Sequence, residues 1–158
     1  MAVEIERKFL LASDAWRAAA QPGTRMLQGY FVQSSGGPSL RVRIAGKRAF
    51  LTVKGQLRNF SRSEFEYEIP VADANAMLRE FCEGRFVEKI RFLVPFEGFV
   101  WEVDEYFGDN AGLFTAELEL DDESTQFPIP PWLGKEVTDD RRYGNGSLSR
   151  NPYRNWGR

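Results

Sequence analysis

The chain alternates apolar and polar residues with a period of two over most of its length, the pattern of half-buried strands. The alternation marks Val3–Leu11, a segment around Gln28–Gln33, Leu40–Ile44, Ala49–Lys54, Arg62–Ile69, Phe86–Val94, Phe99–Glu105 and Phe114–Asp121, eight strands in all. Ala45-Gly46-Lys47 and Pro95-Phe96-Glu97-Gly98 have the length and residues of hairpin turns. Two segments carry a helical pattern instead. Ser13 or Asp14 can cap a helix through Ala20, which Pro22-Gly23 stops. Asp73 can cap a second through about Cys82, with Ala74, Met77, Leu78 and Phe81 on one face and Gly84 as the stop. From Phe127 onward the chain is rich in Pro, Gly, Asn and Arg, and reads as loop with a short helix near Gly134–Asp139. Mostly antiparallel strands with two helices give an α+β class, a barrel or a sandwich.

Composition narrows the chemistry. The 158 residues suffice for one domain with its own core. The chain has no histidine, which removes Ser-His and Cys-His nucleophile pairs, histidine zinc sites and the usual general base. Any metal is then held by oxygen, which favours Mg²⁺, Mn²⁺ or Ca²⁺ over zinc. Lys and Arg number 21 against 23 Asp and Glu, a net charge of −2, without the basic excess of a nucleic-acid-binding protein. The longest uncharged stretch, Met26–Leu40, carries Gly, Ser, Gln and Pro, so no membrane span is expected. The opening MAVEIERKFL lacks the basic and apolar regions of a secretory leader. The single cysteine, Cys82, rules out a disulfide framework and points to a reducing cytoplasm. It falls near the apolar face of the second helix, as an inert thiol would.

The strands have an unusual polar face. Glu4, Glu6 and Lys8 share one side of the first; Arg41 and Arg43, Lys54, then Arg62, Glu64, Glu66 and Glu68 follow on later strands. Lys89 and Arg91, Glu102 and Asp104, and Glu117 and Glu119 complete the set. A half-buried sheet also has one polar face, and periodicity alone leaves open which face points inward. These faces, however, hold almost no Ser, Thr, Asn or Gln, and like charges sit side by side: Arg41 with Arg43, Lys89 with Arg91, Glu117 with Glu119. Such neighbours repel unless a counter-ion or ligand lies between them. Rolled inward, the charged faces would line a cavity where cations hold a polyanion and carboxylates hold hard divalent metals.

The opening Glu4-Ile5-Glu6-Arg7-Lys8 has the E-x-E-x-K form that begins the CYTH family of adenylate cyclases and thiamine triphosphatases, also called triphosphate tunnel metalloenzymes. Arg41-Val42-Arg43, Leu51-Thr52-Val53-Lys54-Gly55, Arg62-Ser63-Glu64-Phe65-Glu66 and Lys89-Ile90-Arg91 follow in the family's order. Then come Trp101-Glu102-Val103-Asp104-Glu105, Ala116-Glu117-Leu118-Glu119 and Gly134-Lys135-Glu136-Val137-Thr138. The resemblance spans residues 3 to about 143. It implies one domain over 1–158: an eight-stranded antiparallel closed β-barrel over about 3–121 with a charged interior and flanking helices, and a tail, 122–158, wrapping it. It further implies a triphosphate-bearing small molecule as substrate and Mg²⁺ or Mn²⁺ as cofactor.

By that resemblance Glu4, Glu6, Asp104, Glu117 and Glu119 are the metal ligands, and Lys8, Arg41, Arg43, Lys54, Lys89 and Arg91 bind phosphate. Two carboxylates two apart on a strand project the same way and can share a cation. Arginine forks contact phosphate oxygens bidentately. Glu64, Glu66 and Glu68 either ligate metal or hold the arginines in place, and Lys135 and Arg142 belong to the tail near the barrel mouth. Tyr30 stands where the family places a tyrosine near the lysine of E-x-E-x-K, so a Lys8–Tyr30 pair would help activate water; a tyrosine packed in the wall is the other reading. Trp132, Tyr143, Tyr153 and Trp156 read as packing anchors, and Gly36-Gly37 and Gly108–Gly112 as loops. The expected function is metal-dependent hydrolysis of a triphosphate, first of inorganic triphosphate to pyrophosphate and phosphate. Thiamine or nucleoside triphosphates, cyclisation of ATP, and non-catalytic polyphosphate binding are the alternatives. A homodimer stays open.

Overall fold

A computed structural model describes residues 3–31 and 37–157. Nine strands form: β1 (Val3–Leu11), β2 (Thr24–Tyr30), β3 (Ser39–Ala45), β4 (Arg48–Lys54), β5 (Ser61–Ile69), β6 (Phe86–Phe96), β7 (Phe99–Tyr106), β8 (Phe114–Glu119) and β9 (Leu133–Glu136). The helices are α1 (Val71–Phe81) and α2 (Asn145–Arg150), with short 3₁₀ turns between elements. Hydrogen bonding runs β5-β4-β3-β2-β6-β7-β8-β1, and β1 pairs back with β5 to close an antiparallel barrel of eight strands. β9 is an addition, paired with the second half of β1.

The turns follow from local chemistry. At the β6–β7 hairpin Phe96 pairs with Phe99, and both central residues, Glu97 and Gly98, have positive φ (44° and 87°). That is the primed turn whose twist matches the flanking strands.

Closure settles the direction of the faces. The charged face points in and the apolar face points out, covered by the rest of the chain. The 3₁₀ turn Ala15–Ala19 lays Trp16, 1% exposed, with Trp101, Val103, Ala116 and Leu118 of β7 and β8; Trp132 of the tail completes that cluster. Helix α1 packs Ala74 and Leu78, with Cys82 just beyond it, over Val42 and Ala49. The apolar core is therefore a shell outside the barrel, and the interior is left for polar chemistry. At one end, inward Tyr30, Val87 and Tyr106 meet Val137, Tyr143 and Leu148 of the tail, which cap that end.

Several boundaries differ from the sequence expectation. β2 begins at Thr24, pairing with β6 from Thr24↔Arg91 onward; Arg25 and Met26-Leu27 break the alternation that would have shown it. The expected strand end at Gln33, and Gly36 of the expected loop, lie outside the described residues. Helix α1 starts two residues before Asp73, because the Pro70 carbonyl already accepts from Ala74 N–H and proline's fixed φ suits a helix entry. The segment expected as a helix near Gly134–Asp139 contains strand β9 instead. Gly134 lies so close to β1 that a Cβ there would stand 2.9 Å from the Leu10 carbonyl oxygen. Helix α2, in what reads as loop, has too few apolar residues to show a period.

Candidate active site

The inward side chains enclose a cavity of about 630 Å³. Lys8 of β1, Arg41 and Arg43 of β3, Lys54 of β4 and Arg91 of β6 bring cations to its wall. Glu4 and Glu6 of β1, Glu64 and Glu66 of β5, and Glu117 and Glu119 of β8 bring carboxylates, and Tyr30 of β2 lies among them. Strand alternation aims all of these at one volume, and barrel closure brings β1 beside β5 so that Glu4 reaches Lys54.

The ion pairs are close. Lys54 Nζ lies 3.0 and 2.9 Å from the two Glu4 carboxylate oxygens and 3.2 Å from Glu64. Lys8 Nζ lies 3.3 Å from Glu117 and donates to the Tyr143 carbonyl oxygen at 2.9 Å. Arg41 reaches Thr52 at 3.2 Å and Glu66 at 3.4 Å, while its buried Nε has no partner among the described residues. Arg43 Nε donates to Gln28 Oε1 at 2.8 Å, and Gln28 Nε2 donates to the Tyr30 hydroxyl oxygen at 2.7 Å. Tyr30 is thus bonded to Gln28, whereas Lys8 is bonded to Glu117 and the tail.

The CYTH domain family model matches residues 2–151. The chain belongs to the CYTH family. An inorganic triphosphatase of Acetivibrio thermocellus is 47% identical over 156 residues, covering 99% of both chains. One from Nitrosomonas europaea is 37% identical over 150 residues, 92% of this chain and 96% of its own. A solved inorganic triphosphatase structure superposes with a TM-score of 0.65 at 34% identity, covering 94% of this chain and 95% of that one.

Electrostatics divide this CYTH barrel into two kinds of strain. On the cationic side burial and then the charges of Arg41 and Arg91 pull the Arg43 guanidinium down to about 10. Arg41 pairs with Glu66 and Arg91 with Asp104 and Glu102, whereas Arg43 is bonded to the neutral Gln28. On the acidic side, burial and the charges of Glu117 and Glu4 push Glu6 well above the usual carboxylate range. Glu117 is held well below it: burial opposes ionisation, but Lys8, Arg91 and a hydrogen bond from Glu6 prevail. The two carboxyls are thus pushed in opposite directions, Glu6 toward the neutral form and Glu117 toward the charged one. Glu4 behaves likewise: burial opposes ionisation, but Lys54, a hydrogen bond from Glu64 and the Arg62 charge bring it to about 2. Glu64 is raised by burial and by Glu4, and Glu119 by burial and by Glu102 and Glu4.

The oxygen-only donor set and the mutual repulsion of Glu6, Glu117 and Glu4 are of the kind a hard divalent cation would relieve. Among the described residues no three acidic side chains form a ready-made ion cage.

Five sequence expectations need correction. Lys89 and Asp104 are 0% exposed and do not line the cavity. Lys89 Nζ lies 2.8 Å from Asp104 Oδ2, and Asp104 also takes Arg91 Nε at 2.8 Å and Nη2 at 2.9 Å. They lie on the inward face at the capped end, covered from the cavity, where Asp104 is the counter-charge that holds both Lys89 and Arg91. Glu68 lies at the outer end of β5, paired with Arg48 at 2.7 Å. Arg142 is turned to solvent and paired with Asp140 at 2.7 Å, and Lys135 is exposed on β9.

The cavity also takes residues beyond the expected set. Arg62 and Glu102 line it, 3.3 Å from Glu4 and 3.2 Å from Arg91 respectively. Their strand faces already placed them beside Glu64 and Asp104. Asp140, Arg141, Asn145 and Arg150 come from the tail, which carries no period from which to infer direction.

Proposed function

We propose that this protein is an inorganic triphosphatase, hydrolysing triphosphate to pyrophosphate and phosphate in a reducing cytoplasm. The observation that carries the reading is the convergence of Arg41, Arg43 and Arg91, with Lys54 and Lys8, inside a closed barrel. Such crowded cations match a compact polyanion, since a triphosphate carries about four negative charges and arginine forks grip phosphate oxygens in pairs. The names of the relatives at 47% and 37% identity support the same substrate.

The barrel's own residues supply positioning and charge, which is most of what phosphoryl transfer requires. Arg41, Arg43 and Arg91 hold the phosphate chain, and Asp104 fixes Arg91. Burial opposes the Lys8 charge, but Glu117, Tyr106, Glu6 and Asp104 outweigh it and hold Lys8 above the ordinary lysine range. Lys8 is thereby placed to donate to a phosphate oxygen as an ammonium. Arg43 has only donors, so Gln28 must give it an oxygen and turn its amide nitrogen to Tyr30. The Tyr30 oxygen is the acceptor in that bond, and its own proton is left for the cavity. Glu6 and Glu117, with Glu4, Glu64 and Glu119 nearby, are the residues to hold Mg²⁺ or Mn²⁺. Such an ion would neutralise phosphate charge and acidify water. With no histidine in the chain, the activity optimum is expected on the alkaline side.

A second reading, hydrolysis of a thiamine or nucleoside triphosphate, is favoured by Phe60 and Leu57 on the cavity wall, where an organic group can pack. The test is phosphate release from inorganic triphosphate, ATP and thiamine triphosphate at equal concentration, each with Mg²⁺ and Mn²⁺. A strong preference for inorganic triphosphate supports the first reading, and preference for an organic substrate supports the second. Cyclic AMP from ATP would make it a cyclase, and tight binding without turnover a polyphosphate-binding module.

A further inference from the structure

Among the side chains that the tail brings to the cavity, Asn145 is a neutral amide set against the charged wall. Asn145 lines the cavity, and its Oδ1 accepts from Lys89 Nζ at 3.3 Å and from the Tyr106 hydroxyl at 3.2 Å. A lysine ammonium only donates. Tyr106 is itself an acceptor from Thr115 at 3.5 Å, so its proton goes to Asn145. Both donors are buried in the barrel wall, Lys89 at 0% and Tyr106 at 2% exposure. The Asn145 oxygen therefore faces the wall, and its amide nitrogen, on the opposite branch of a planar group, faces the cavity. No acceptor engages that nitrogen among the described residues.

Its neighbours give the amide a role. Two residues earlier, the Tyr143 carbonyl holds Lys8 Nζ at 2.9 Å. One residue later, a Cβ on Gly146 would meet the Tyr30 ring at 3.6 Å. Asn145 sits between the anchoring points of Lys8 and Tyr30, and Lys89 ties it through Asp104 to Arg91. We propose that the Asn145 side-chain amide is a substrate-binding donor that takes a phosphoryl oxygen at the capped end of the barrel and so sets how deeply the triphosphate seats. The inference rests on the triphosphatase reading. The donor is the side chain alone; its orientation is imposed by two buried groups of the barrel, so removal of the tail contact and removal of the substrate contact can be separated.

Asn145→Asp makes that separation. It keeps carboxylate oxygens for Lys89 and Tyr106, so the tail stays docked, but it presents an acceptor to the substrate where a donor stood. A hydrogen bond to a charged group corresponds to about a 10- to 100-fold change in affinity. The expected result is a KM for triphosphate raised by that factor with the melting temperature unchanged. A KM equal to that of the active wild-type enzyme overturns the inference. A second readout needs no altered protein in the measured sample. In wild-type protein labelled with ¹⁵N-asparagine, added inorganic triphosphate should shift the Asn145 side-chain amide resonance, assigned by its loss in Asn145→Asp. An unmoved resonance at saturating triphosphate overturns the inference. A wild-type protein that releases no phosphate overturns the triphosphatase reading instead, while the amide shift still reports the contact.

Discussion

Replacing Asp104 by Asn strands the buried Lys89 and takes the paired contact from Arg91, which keeps only Glu102, while changing almost no volume. Asp104 is 0% exposed and accepts from Lys89 at 2.8 Å and from Arg91 at 2.8 and 2.9 Å. Removing one partner of a buried ion pair costs about 3–5 kcal/mol, because the remaining charge loses its compensation without regaining water. Against a typical domain stability of about 5–15 kcal/mol, Asp104→Asn should leave a folded but fragile protein. With a urea dependence of about 1–3 kcal/mol per molar, the unfolding midpoint should fall by roughly 1–5 M. Lys89→Met should cost less, since Asp104 keeps its paired contact with Arg91. The double variant should cost less than the sum, with a coupling of about 0.5–3 kcal/mol. Inorganic triphosphate should stabilise Asp104→Asn more than wild type, because the substrate anion supplies part of the missing charge. Urea titration of the four proteins, with and without triphosphate, measures each quantity. An Asp104→Asn midpoint within about 0.3 M of wild type would refute the claim that this carboxylate compensates buried cations.

Other outcomes follow from the same structure. Burial first, then Arg91 and Arg43, lowers Lys89 to about 7 against the pull of Asp104. Between about pH 7 and the ordinary lysine value near 10.4 the unfolded chain binds the extra proton, so this residue makes stability rise with pH. Urea midpoints across that window should lose this rising component in Lys89→Met; an unchanged slope would count against it. Glu6→Gln keeps a hydrogen-bonding group for Glu117 but removes one carboxylate from the proposed cation site. Phosphate release with Mg²⁺ should drop by at least about 100-fold, the order expected when several kcal/mol of charge stabilisation is lost, with the melting temperature retained. Gly29→Ala sets a Cβ 2.6 Å from Leu78 Cδ2 and 2.8 Å from Cys82 Sγ, where α1 lies on the barrel. Thermal unfolding should report a loss of about 1–3 kcal/mol, and wild-type stability would show that α1 can shift to make room.

What could be read in the sequence tracks what is periodic. Each strand that supplies Lys8, Arg41, Lys54, Glu66 or Glu117 alternates cleanly, so the site's walls were legible before the barrel was closed. The alternation could not distinguish the open part of the inward face from the part that the tail closes off. Lys89 and Arg91 share a face, yet Lys89 lies next to the capped end, across from Tyr106, and is buried, whereas Arg91 opens to substrate. Depth along a strand depends on what covers its end, and here the cover is the tail. That tail is the least periodic part of the chain. Leu133–Glu136 becomes a strand through its pairing with β1, and Asn145–Arg150 becomes a helix through its seat on Tyr30 and Tyr106. Both are tertiary effects that local propensity does not carry. The contacts of Asn145 were invisible for the same reason.

The most direct test of a charged barrel that holds triphosphate is a crystal structure with Mn²⁺ and a non-hydrolysable triphosphate analogue, the metal located by its anomalous signal. The phosphate chain should lie inside the barrel against Arg41, Arg43 and Arg91, with manganese at the Glu6–Glu117 carboxylates. An analogue bound outside the barrel, or manganese at carboxylates elsewhere on the chain, would contradict the account.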